Sequence, residues 1–150
     1  MQLIFYHSFR SPDYSIEYEA ALLDILAKLF EIVSRPVKEV QIGASIAILR
    51  LIQLDNINQF HSVYDATVKG VFTEIPKAHS KILANLLECL LFLNKAFTEI
   101  PPVGVVNMAK YIASNMITHG SAKVRKIAVD NIFLLVILHS DALQKVRLFD

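Results

Sequence analysis

Breakers set the first limit on this chain. Proline stands only at positions 12, 36, 76, 101 and 102 and glycine only at 43, 70, 104 and 120, which leaves long stretches with nothing to interrupt a helix. Within those stretches apolar residues recur every three or four positions, the period of a helix with one buried face. The chain therefore reads as all-α, with about six to seven helices. The first spans residues 16–34, with Ser15 as N-cap, Glu17 and Glu19 at the positive end of the dipole, and Leu22, Leu26, Leu29 and Val33 as its stripe. Pro36 closes it. Residues 37–54 follow, with Val37, Val40, Ala44, Ala47 and Leu51 on one face, before a turn at Asn56 and Asn58. Segments 59–73, 77–98, 102–118 and 122–138 complete the periodic part. Gly120 is the expected left-handed C-cap of the fifth, and Ser140 and Asp141 are expected to cap a last helix over residues 142–149.

The pentapeptide Phe-Thr-Glu-Ile-Pro occurs twice, at 72–76 and 97–101. Both copies fall where one helix ends and the next begins, which marks a structural joint: Phe and Ile face the core from the last turn, and Pro opens the next helix where no amide donor is needed. Helix starts near 16, 59 and 102, and near 37, 77 and 122, give a two-helix period of about 40 to 45 residues, the interval of solenoids built from helical hairpins. The chain is expected to be one domain, an α-solenoid of antiparallel helix pairs and a segment of a longer array. A compact bundle of six helices is the alternative.

Composition narrows the function classes. Hydrophobic residues make up 54% and charged residues 19%, with mean hydropathy +0.44, which raises the question of a membrane. The longest uninterrupted apolar run, residues 132–138, is far below the roughly 20 residues a spanning helix needs. The first twelve residues carry neither a basic n-region nor a small-residue cleavage site, so no signal peptide is read there. Cys89 is the single cysteine, so no internal disulfide can form, and a reducing compartment, cytoplasmic with the nucleus as a second option, is the expected home. A net charge of +1 gives no general basis for binding nucleic acid, and a nucleic-acid-associated array is a lesser alternative.

Little in the chain looks like chemistry. No phosphate-binding glycine loop, dinucleotide fingerprint or zinc-protease motif is present. The histidines at 7, 61, 79, 119 and 139 are scattered singly; His61 and Asp65, one helical turn apart, could hold one edge of a metal, and with Cys89 they are the candidates for a ligand site in a bundle core. No cofactor is expected. A surface hydrogen bond is the plainer reading of the His61 pair, and an inert core thiol that of Cys89. The candidate binding residues are Lys123, Arg125 and Lys126, joined by Lys145 and Arg147 from the next helix, which together form a basic rim suited to an acidic partner.

Val124-Arg125-Lys126-Ile127-Ala128, followed by Ile132, Leu134 and Leu135, resembles the second helix of a HEAT repeat, and Val37, Val40, Ala44 and Leu51 echo it. Residues 80–143, from the leucine-rich run through the Val-Arg-Lys helix, resemble in order and spacing the HEAT-like C-terminal region of the tubulin-folding cofactor D family. The resemblance implies a noncatalytic chaperone or scaffold whose partners are tubulin and other tubulin-folding factors.

Overall fold

The structure, a computed structural model, describes the backbone of residues 12–146 and the side chains of residues 16–144. Seven α-helices and no strand occur among them: α1 (Pro12–Val33), α2 (Lys38–Ile52), α3 (His61–Glu74), α4 (Ser80–Ala96), α5 (Pro102–Asn115), α6 (Ala122–Leu138) and α7 (Ser140–Val146). Short 3-10 turns, Ile57–Gln59 and Ile75–Lys77, precede and follow α3. The expected segments are present with shifted ends; the last begins at Ser140, so Ser140 and Asp141 lie within it instead of capping it, and residues 147–149 of that segment lie outside the described residues. Pro12 opens α1, its fixed φ suiting a first helical position, so Ser15 lies inside the helix instead of capping it. Residue 56 is the one non-glycine with positive φ (61°) among the described residues, at the turn expected there, in a region that asparagine tolerates. Gly120 is not left-handed. The helix before it stops at Asn115, and a turn over residues 116–119 takes up the intervening chain, so no C-cap is needed at 120.

Substantial packing joins each helix to its neighbour or next-but-one neighbour in the chain. The pairs α1–α2, α3–α4 and α5–α6 pack together, α2, α4 and α6 stack in a row, and α1 packs on α3 and α5 on α7. Phe72 and Tyr111, edge to face with centroids 5.2 Å apart, connect α3 with α5. The helix flanked on both sides, α4, buries the most side chains: Ile82, Leu83, Leu86, Leu87, Leu90 and Leu93 are all buried on it. Each such side chain contributes about 1.5–3 kcal/mol of burial, so this helix anchors the core.

Polar side chains pin the stacked helices in register. Asn85 on α4 donates to Ser45 Oγ on α2 (2.9 Å), and Asn131 on α6 donates to the Leu87 carbonyl on α4 (3.0 Å). Between α1 and α3, Ser62 donates to Glu19 near the starts of both helices, and Ser34 Oγ donates to Glu74 Oε2 (2.8 Å) at their ends. Asn94 lies between the Tyr64 hydroxyl (3.1 Å) and Met108 Sδ (3.2 Å), tying α3, α4 and α5 together. A buried polar group left unpaired costs about 1–3 kcal/mol, so a slip of one residue along any of these pairs is penalised.

The two copies of the pentapeptide are both joints, built differently. In the first, α3 runs through Glu74, which is buried and held by Ser34 and Lys77, and Pro76 sits within a 3-10 turn instead of opening α4. In the second, α4 ends before Phe97, the chain continues extended, and Glu99 is exposed. Phe97 is buried just beyond the helix, against the rings of Tyr64 (5.3 Å) and His61 (5.7 Å), whereas Phe72 is half-buried. Tertiary partners at each site override an identical local sequence.

Candidate interaction surface

Three of the basic residues singled out in the sequence, Lys123, Arg125 and Lys126, stand in the first turns of α6, just after the chain leaves α5. Ser121 caps α6, its Oγ accepting from the Val124 amide (3.4 Å), while its own amide donates to His119 Nδ1 (3.0 Å). Arg125 folds back over this turn, its Nη1 donating to the carbonyls of His119 (2.8 Å) and Gly120 (3.1 Å). Its guanidinium thus braces the α5–α6 joint. Lys126 pairs with Asp130 one turn on (3.3 Å), both side chains well exposed. Lys123 is exposed and has no partner among the described residues. The side chains of Lys145 and Arg147 lie outside the described residues, so of the expected basic rim only Lys123, Arg125 and Lys126 are described, each with different surroundings.

Beyond that turn α6 divides into two apolar faces. Val124, Ile127, Ala128 and Leu135 are buried together with Asn131. Val129, Phe133, Val136 and Ile137, spaced four, three and one residues apart, fall on the opposite side of the helix and are exposed, Phe133 at 65% and Ile137 at 58%. Scattered exposed apolar residues are ordinary, but four on one helix face form a contiguous stripe and make this face a candidate for docking. Sequence reasoning missed it, because residues 132–138 are apolar at every position and periodicity cannot tell an inward face from an outward one there. At the end of the stripe His139 has a shielded Nε2 without a hydrogen-bond partner among the described residues, and burial holds its pKa below the usual histidine range.

The remaining candidates lie elsewhere. Cys89 is buried in α4, and burial, with the neighbouring Glu88, pushes its thiol pKa up to about 12, so it is held as a neutral thiol. The Tyr64 hydroxyl is likewise driven well above its ordinary pKa by burial, with Asp65 adding to the shift. The His61 ring packs edge-on against Phe97. No group of three side chains able to hold a metal gathers among the described residues. A groove of about 350 Å³ runs between α1 and α3 over Leu26, Phe30, Ala66 and Gly70, and a recess of about 210 Å³ lies beside Glu74, Lys77 and His79. His61, Asp65 and Cys89 line neither. No helix among the described residues is long and apolar enough to cross a membrane. No family model matches the chain, and no curated protein or solved structure does so either.

Proposed function

We propose that this chain is a noncatalytic helical-repeat scaffold, an α-solenoid of antiparallel HEAT-like pairs, that binds protein through the outer face of α6 and the basic turn before it. Three observations support the solenoid reading. Substantial packing is between neighbours and next-but-one neighbours. Contacts at Glu19–Ser62 and Ser34–Glu74 suit two helices running the same way. Contacts of Tyr64 with Asn94 and of His61 with Phe97 suit α3 and α4 running oppositely. The observation that carries the binding role is the exposed stripe Val129, Phe133, Val136 and Ile137, on the helix that begins with Lys123, a cation without a partner among the described residues. Apolar anchors supply affinity, and rim cations supply orientation toward an acidic partner.

The resemblance over residues 80–143 makes tubulin and its folding factors the partners to offer first. The test is capture of purified tubulin by the immobilised chain, compared with Phe133→Glu and Lys123→Glu. Arg125 is left intact because it braces the joint. Capture that drops at least tenfold with Phe133→Glu supports the reading; capture unchanged by both substitutions removes α6 from it, and no capture by the unaltered chain removes tubulin.

A further inference from the structure

We infer that Glu74 anchors a binding site for a small organic amine, the ammonium group seated on its carboxylate and an apolar arm lying in the groove between α1 and α3. The site is separate from the outer face of α6 and does not depend on it.

Glu74 lines both the groove of about 350 Å³ and the recess of about 210 Å³, and Ser34 is the other residue the two cavities share. Although Glu74 is only 5% exposed, its carboxylate is half satisfied. Oε2 accepts from Ser34 Oγ (2.8 Å) and stands 3.4 Å from Lys77 Nζ, whereas Oε1 has no hydrogen-bond partner among the described residues. A buried carboxylate oxygen without a donor is costly, and a charged N–H donor is the partner that offsets most of that cost. The backbone adds to the preference. α1 ends at Val33 and α3 at Glu74, and the two helices run the same way, Ser62 meeting Glu19 near their starts and Ser34 meeting Glu74 at their ends. Two negative dipole ends therefore converge on this carboxylate, which favours a cation there and disfavours an anion. Glu31, the other carboxylate on the groove, is exposed and pairs with Arg35 (2.9 Å), so no ligand set for a metal forms and a nitrogen cation is the fitting occupant.

The groove accounts for the arm. Gly70 and Ala66 stand four and eight residues before Glu74 on the same face of α3, about 6 and 12 Å along it, and Leu26 and Phe30 line the opposite wall from α1. A ring on a short hydrocarbon chain spans that distance, and the groove alone falls within the roughly 300–1,000 Å³ of small-molecule sites. Two cations stand near. Lys69 is exposed at the side of the groove, and Lys77, also exposed, lies close enough to Oε2 to compete with an incoming ammonium.

The test is an amide NMR titration of the purified full chain with phenylbutylamine, beside phenylbutanol and phenylbutyrate, which keep the arm and replace the cation with a neutral group and an anion. The amine is expected to shift the amides of Ser34, Gly70 and Thr73 saturably, with a Kd of about 1 mM for a ligand of this size. The alcohol is expected to bind at least tenfold more weakly and the carboxylate not at all. Glu74→Gln keeps the shape of the side chain and removes its charge, so it is expected to bring amine binding down to the level of the alcohol. Lys77→Ala removes the competing cation from an exposed position, and is expected to tighten amine binding at least twofold without disturbing the fold. No saturable shift with the amine overturns the inference, as do equal affinities for amine and alcohol, shifts confined to residues outside the two cavities, or amine binding that survives Glu74→Gln. Should Glu74→Gln fail to fold, the alcohol and Lys77→Ala decide alone: weaker or unchanged amine binding in Lys77→Ala contradicts a cation seated on Glu74.

Discussion

Glu74 and Glu99 occupy the same place in identical pentapeptides and have opposite environments. Glu74 is 5% exposed and accepts from Ser34 and Lys77; Glu99 faces solvent. Glu74→Ala is expected to lower stability by about 1–2 kcal/mol and Glu99→Ala by less than about 0.5 kcal/mol, read from urea melts. Equal effects would mean that the first joint does not depend on its buried carboxylate. His139 gives a second expectation, with a definite sign. Its folded-state pKa lies below the unfolded value of about 6.5 because burial disfavours the charged ring, so its contribution is present above that pH and is lost as pH falls through the lowered folded value. The thermal midpoint should therefore fall on acidification from pH 7 to pH 5, and His139→Gln should flatten part of that fall; an equally steep fall in the variant would clear His139.

Among the elements, the α1–α3 contact depends on a residue that is absent as much as on those present. Gly70 lets the Phe30 ring approach so closely that an added Cβ would stand 2.6 Å from it, whereas an added Cβ at Gly43 meets nothing within 4 Å. Gly43→Ala is expected to stabilise by about 0.5–1 kcal/mol through helix propensity, and Gly70→Ala to destabilise by about 1–3 kcal/mol because the ring must leave its place. Chemical denaturation of the two variants checks this, and a Gly70→Ala variant as stable as Gly43→Ala would mean that the ring repacks freely. Existence and order of the helices were legible in the sequence, since Pro36, Pro76 and Pro101 separate periodic segments whatever the tertiary contacts. The apolar character of α4 also foretold a helix covered on several sides, and Leu87 is buried there. The ends were less legible. At Ser15 a proline one turn earlier took over the start, and α5 ended at Asn115 in a turn over residues 116–119, which left no cap for Gly120 to make. The basic rim was legible as charge but not as bonding, because only folding brings the Arg125 guanidinium onto the carbonyls of residues 119 and 120. The outward face of α6 was hidden within a uniformly apolar run.

For the whole molecule, packing by neighbours and next-but-one neighbours has a consequence for how surfaces arise. A helix in the middle of the row, such as α4, is covered by α2 and α6, while α6 has α4 on one side of the row and keeps its opposite apolar face exposed among the described residues. Two strongly apolar helices thus differ in exposure: α4 is covered on both sides, and α6 keeps one apolar face open, the face proposed above for docking. The account stands on that distinction, and one comparison tests it most directly: circular-dichroism melts of Leu87→Asp and Phe133→Asp beside the unaltered chain. Leu87 is fully buried, so a carboxylate there is left without a partner and the cooperative transition is expected to vanish. Phe133→Asp is expected to melt cooperatively within about 0.5 kcal/mol of the unaltered chain, as a substitution on a face that takes no part in the fold should. Loss of the cooperative transition in Phe133→Asp would contradict the account, because the outer face of α6 would then belong to the core.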